Sequence, residues 1–270
     1  MLIDCFPYFN EKELLELRIE TLYDHVDGFL ITDANRTHRG EPKEFSCVNT
    51  LRELGIPEDK VQVLHVELPP IEEAPDPWIR ERGQRDALSV GLFQLPEDTF
   101  FICSDCDEIA NPEKLEEVKE AVLEHSDKTV RLSMSMHYGR ADRQLESPTG
   151  EKFDWRCGTA GTVRQLKEFG TLSSFRATTN NWYVGNRDAG WHLSWMGDAD
   201  KRLRKLSSIA EYYIWNKPEV QKLCNEFDPE VGKTDMLGRQ DHLITSYPVD
   251  KLPEAALRIE RVRQYLLPDG

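Results

Sequence analysis

The sequence predicts an α/β fold with parallel strands, on three observations. Residues 99–112 read TFFICSDCDEIANP, an apolar run that breaks abruptly into Asp105, Asp107 and Glu108. A short apolar run ending in polar residues is the pattern of a buried parallel strand reaching its carboxyl end, where open α/β sheets bind ligands. The chain also opens by alternating strand, helix and strand. Finally, 270 residues at 39% hydrophobic content suffice for one large α/β domain or two small ones. Without repeats or low-complexity segments, a single domain over 1–270 is the simplest reading.

Residues 2–6, LIDCF, predict the first strand. Asn10 with Glu13 resembles a capping box, and Leu15, Ile19, Leu22 and Val26 follow at helical spacing. Residues 28–32, GFLIT, predict a second strand, followed by a long polar loop over 33–45 suited to a ligand or to simple solvation. Residues 61–68 alternate as a strand. The proline-rich stretch after them crosses the surface, and a helix runs from 78 to 93. On that helix Arg82 and Arg85 lie three apart on one face, placed either for phosphates or for an exposed salt-bridged surface.

Asn111 and Pro112 supply an N-cap and a first-turn proline for a helix burying Leu115, Val118 and Val122. Residues 129–136 alternate as one strand. Residues 137–186 predict strands and loops in which Trp155 and Trp182 stack on sugar rings or join the core. Residues 190–195, GWHLSW, set His192 between two tryptophans. A helix over 201–215 follows, with Asp198 or Asp200 at its start, where an acid is favoured electrostatically.

The net charge of −15 argues against nucleic acid or an anionic membrane as main partner. No apolar run approaches a membrane span, and the start lacks the pattern of a signal peptide. Six scattered cysteines, with Cys103 and Cys106 as a lone CxxC, predict reduced thiols and a cytoplasmic setting.

An apolar strand ending in DxD brings two carboxylates together, and a divalent ion, Mg²⁺ or Mn²⁺, shared with substrate phosphates is their natural guest. Three chemistries use such a strand. In a nucleotide-sugar transferase the metal neutralises the leaving diphosphate. In a phosphoryl- or nucleotidyl-handling enzyme the first aspartate is a nucleophile, but that pattern belongs nearer the start of a chain. A calcium loop needs more alternate oxygen ligands and a glycine, and neither is present. A non-catalytic carbohydrate-binding protein, relying on the six tryptophans, is the remaining alternative.

The order of the pieces resembles glycosyltransferase family 17. Residues 4–43 (DCFPYF through EPK), WIRERGQRDAL, FFICSDCDEIANP and GWHLSW with Lys205 downstream carry the likeness, and SDCDEI and GWHxSW are its specific parts. The resemblance implies a GT-A-type, nucleotide-sugar-binding Rossmann-like sandwich with a mixed, mostly parallel central sheet. It implies a donor-binding half at about 1–125 and an acceptor-side half at about 126–270. It further implies inverting, Mn²⁺- or Mg²⁺-dependent transfer of a sugar, N-acetylglucosamine from a UDP-sugar donor first, to a saccharide acceptor. On this chain the metal ligands would be Asp105, Asp107 and His192. The donor contacts would be Asp33, Asn35, Arg85, Asp105 and Glu108. Inversion needs a general base, with Asp200 the first choice, Asp198 the second, and Asp235 and Asp241 in reserve.

Overall fold

A computed structural model describes residues 1–267. The strands in chain order are β1 (Leu2–Tyr8), β2 (Gly28–Ala34), β3 (Val61–Val66), β4 (Phe100–Cys103), β5 (Glu108–Ala110), β6 (Thr129–Leu132), β7 (Met134–Tyr138), β8 (Arg140–Glu146), β9 (Asp154–Trp155), β10 (Thr159–Thr162), β11 (Asn181–Val184), β12 (Gly190–Ser194) and β13 (Leu243–Ser246). Seven form the central sheet, in the order β11-β6-β10-β4-β1-β2-β3. Only β10 runs antiparallel to its neighbours, so the sheet is mixed and mostly parallel, as expected from the sequence.

Alternation along β1 divides the core. Leu2, Phe6 and Tyr8 face helix α1 (Lys12–Leu22). Ile3 and Cys5 join the cluster with Leu88 and Leu92 on the opposite face. Those two leucines belong to α3 (Pro77–Leu92), which follows α2 (Cys47–Leu54). Helix α4 (Leu115–Glu124) buries Leu115, Val118 and Val122 as predicted. Helices α5 (Val163–Phe169) and α6 (Leu172–Arg176) pack near α3, and α7 (Ala199–Ser208) and α8 (Tyr212–Trp215) follow β12.

Several local expectations are corrected. Asn10 does not cap α1: it adopts a left-handed φ of 54°, which Asn tolerates in tight turns, and accepts a hydrogen bond from the Ser46 hydroxyl. The run 129–136 is two strands. Ser133 breaks it, accepting from the Arg187 N–H and donating to Asp154, after which β7 enters a second sheet of order β13-β8-β7-β12-β5. Alternation reports which face is buried, not which sheet a strand joins. The helix over 201–215 ends at Ser208, where Ser207 and Ser208 hydroxyls bond back to the Arg204 carbonyl and Ile209 is extended. Such back-bonding competes with the helix ladder, and α8 starts afresh four residues on.

Gly190 opens β12 where it crosses β5. A Cβ there would lie 2.3 Å from the Ile109 carbonyl oxygen, so only glycine allows this crossing, which sets His192 opposite Glu108.

Candidate active site

The parallel neighbours β1 and β4 end side by side, and a cavity of about 480 Å³ opens beyond their carboxyl ends. Tyr8, Phe9 and Glu11 line it after β1, Asp105 and Asp107 after β4, and Arg85 from α3. The second sheet adds Trp155 and His192, and residues 208–239 add Glu211, Trp215 and Arg239.

The acidic motif is a turn rather than continuing strand: the Glu108 N–H donates to the Asp105 carbonyl at 2.9 Å. Asp105 and Asp107 therefore reach the same cavity with different partners, instead of aiming at one point. The Asp105 Oδ1 accepts from Arg85 Nη2 at 2.9 Å and from Arg176 Nη1 at 3.4 Å. Burial would push this carboxyl up, but the Arg176 and Arg85 guanidiniums outweigh it and hold it below the usual range. Asp107 Oδ2 accepts from Lys205 Nζ at 2.7 Å, and its Oδ1 lies 3.7 Å from His192 Nε2. Here too burial is outweighed, chiefly by Lys205, and the carboxyl is held low. Arg85 also pairs with Glu81, and its Nε is buried without a partner among the described residues.

Glu108 is fully buried and does not line the cavity. Its carboxylate accepts from the Asp105 N–H and the Trp155 indole N–H. Trp155 in turn lies against His192, ring centroids 4.2 Å apart. Glu108 thus braces the site from inside, and burial followed by repulsion from Asp105 raises its proton affinity.

The structure gives Asp33 and Asn35 internal work away from the cavity lining. Asp33 is buried, accepts from Lys43 Nζ and from the Ser46 and Cys47 N–H groups, and so anchors the start of α2. Asn35 accepts from the Leu68 N–H. Asp198 caps α7 by accepting from the Lys201 N–H. Asp200 is exposed on the first turn, and neither of these acids lines the cavity. Asp235 pairs with Arg239 and Asp241 with His242. Arg82 faces solvent. Trp182 is exposed on the edge strand β11.

Among the described residues, the carboxyls that line the cavity without a cation bound to them are Glu11 and Glu211. Burial, then repulsion from Asp107, raises Glu11 to about 8. Burial likewise raises Glu211. Neither these nor Arg176 stood out in the sequence, because each reaches the site through tertiary packing with no local motif. All six cysteines are free.

Among the described residues no group of three or more His, Cys, Asp or Glu side chains is arranged to hold a metal. A smaller donor set does fit one. His192 Nδ1 is 2.9 Å from the Met136 sulfur, and the tautomer that donates there leaves the Nε2 lone pair facing Asp107 Oδ1. Two acceptors facing each other would hold a divalent ion between them.

The profile of glycosyltransferase family 17 matches residues 1–207. The beta-1,4-mannosyl-glycoprotein 4-beta-N-acetylglucosaminyltransferase of Mus musculus is 28% identical over 245 residues, covering 83% of this chain and 46% of the mouse protein. The Homo sapiens protein of the same name is 27% identical over the same shares. The chain thus spans about half the length of the curated relatives it matches. Among solved structures, S. aureus TarS 1-349 in complex with UDP-GlcNAc aligns at a TM-score of 0.43 and 12% identity, over 83% of this chain and 69% of that one, a likeness too distant to carry an inference. No helix among the described residues is long and apolar enough to cross a membrane. With the family profile covering most of its length, the chain belongs to glycosyltransferase family 17.

Proposed function

We propose that this cavity binds a nucleoside-diphosphate sugar together with a divalent cation, Mn²⁺ or Mg²⁺, and that the protein transfers the sugar with inversion to a saccharide hydroxyl. The observation that carries this reading is the paired-acid turn at the end of β4: two ionised carboxylates, flanked by Arg85, Arg176 and Lys205, at one cavity. N-acetylglucosamine from UDP-GlcNAc is the first donor to test, since the named relatives are N-acetylglucosaminyltransferases.

Asp107 and His192 would hold the cation. When bound, it supplies Lewis-acid neutralisation of the leaving diphosphate. Arg85 and Arg176, now sharing one Asp105 oxygen, meet phosphate oxygens with the forked geometry that guanidinium offers. Lys205 keeps Asp107 ionised. Trp155, Trp195 and Trp215 supply apolar faces for sugar rings. The proton of the acceptor hydroxyl goes to the lining carboxylate of Glu211 on the acceptor side. Asp198 and Asp200 do not reach the cavity.

UDP release from a panel of UDP-sugars, with Mn²⁺ and then with EDTA, tests the reading. Slow hydrolysis of one donor, lost with EDTA, supports it and identifies the sugar. Release of inorganic phosphate instead of UDP would favour a phosphoryl-handling enzyme.

A further inference from the structure

The acidic turn is held from beneath by one buried ion pair. Arg18 on α1 and Asp4 on β1 are both fully buried. Arg18 Nε donates to Asp4 Oδ2 and Nη2 to Asp4 Oδ1, each at 2.7 Å. The other N–H groups go to the turn: Nη2 to Ser104 Oγ at 2.8 Å, and Nη1 to the carbonyls of Asp105 at 2.7 Å and Glu108 at 3.0 Å. That is one partner for each of the five donors a guanidinium carries. The ring of Phe6 lies 4.2 Å from the guanidinium carbon, and the Ser104 hydroxyl closes the turn by donating to the Glu108 carbonyl at 2.8 Å.

A buried ion pair is a poor way to gain stability, because desolvation offsets the attraction. This pair does something that an apolar residue of equal volume could not. It satisfies two inward-facing carbonyls that bracket Asp105 and Asp107, so the backbone of the turn is fixed from the core side. The two carboxylates are thereby turned out toward the cavity. We infer that Arg18, oriented by Asp4, is the positioning residue that sets the reach of Asp105 and Asp107 for the nucleotide, an inference that rests on the donor-binding reading above. Lysine at this position keeps the charge and can pair with Asp4. Its three donors spring from one atom and cannot also span both carbonyls.

The test is a double-mutant cycle on UDP affinity, measured by calorimetry with Mn²⁺, using Arg18→Lys and the pair Asp105→Asn/Asp107→Asn. If Arg18 acts through the turn, Arg18→Lys weakens UDP binding at least tenfold in the wild-type background. It then adds less than about twofold once both carboxylates are gone, because coupled residues are non-additive. Equal losses in the two backgrounds, or no loss in the first, would overturn the inference. If Arg18→Lys does not fold, Ser104→Ala decides. With the Asp4–Arg18 pair kept, a loss of about threefold or more at wild-type melting temperature supports positioning, and unchanged affinity refutes it. A wild-type protein that binds no UDP would instead sink the donor-binding reading, and this inference with it.

Discussion

Glu11 is where pH should be felt most strongly. Its carboxyl lies in the cavity beside Asp107, and its pKa is raised from 4.5 to about 8. The folded state therefore holds a proton that the unfolded chain has released. The sign follows from linkage: stability falls as pH rises through this interval, because the folded state binds more protons than the unfolded one. At about 1.4 kcal/mol per pH unit the ceiling is roughly 5 kcal/mol. Glu11 is only half-buried, and solvent screening cuts this to about 2 kcal/mol. For a chain of this size that is a change in melting temperature of about 4–8 °C.

Glu11→Gln mimics the protonated form and removes the titration. Thermal unfolding of both proteins at pH 5, 7 and 9, in EDTA so that no cation competes for Asp107, isolates the effect. The variant should match the wild type at pH 5 and melt about 4–8 °C higher at pH 9. Parallel curves across the range would show that Glu11 titrates normally, and with it the crowding of negative charge around Asp107 would be wrong.

Other consequences follow from the same geometry. Arg85→Lys and Arg176→Lys should each weaken UDP binding about tenfold, roughly 1.4 kcal/mol, measured by calorimetry; undiminished affinity in both would remove the guanidiniums from the diphosphate site. Trp155→Phe keeps a ring beside His192 but strips the indole N–H from the buried Glu108 carboxylate, at a cost of about 1–3 kcal/mol, read as a lower melting temperature. An unchanged melting temperature would mean that Glu108 does not depend on that bond. Asp198→Asn and Asp200→Asn should leave turnover within about twofold, since Asn caps a helix as well as Asp, whereas Glu211→Gln should reduce kcat by about a hundredfold or more. The reverse pattern would return the base to the start of α7.

The sequence made the centre of this site legible and its rim much less so. The run Phe100–Cys103 ending in Asp105 and Asp107 could be placed because hydrophobic runs and abrupt polarity are local signals. The pattern of its helix left Arg85 between phosphates and an exposed salt-bridged surface, the resemblance set it among the donor contacts, and the folded chain brings it to the cavity beside Asp105. The polar loop over 33–45 suited a ligand or solvation, and the resemblance set Asp33 and Asn35 among the donor contacts, but Asp33 holds the first N–H groups of α2, a use that pattern alone cannot separate from ligand binding. Arg176 ends a five-residue helix and meets Asp105 across 71 positions, a contact visible only after folding. Glu211 and Trp215 reach the cavity because the helix after β12 stops at Ser208. Arg18 falls within the helix predicted after the first strand but carries no signal of its own there, and only the folded chain shows that it lies inside.

The central claim is that the paired-acid turn at the end of β4 binds a nucleoside diphosphate with a divalent cation. Titrating UDP into wild-type protein and Asp107→Asn, with Mn²⁺ and with EDTA, tests it most directly. The account predicts that Mn²⁺ tightens UDP binding at least tenfold in the wild type and that this gain disappears in Asp107→Asn. Equal affinity with Mn²⁺ and EDTA in both proteins would contradict it.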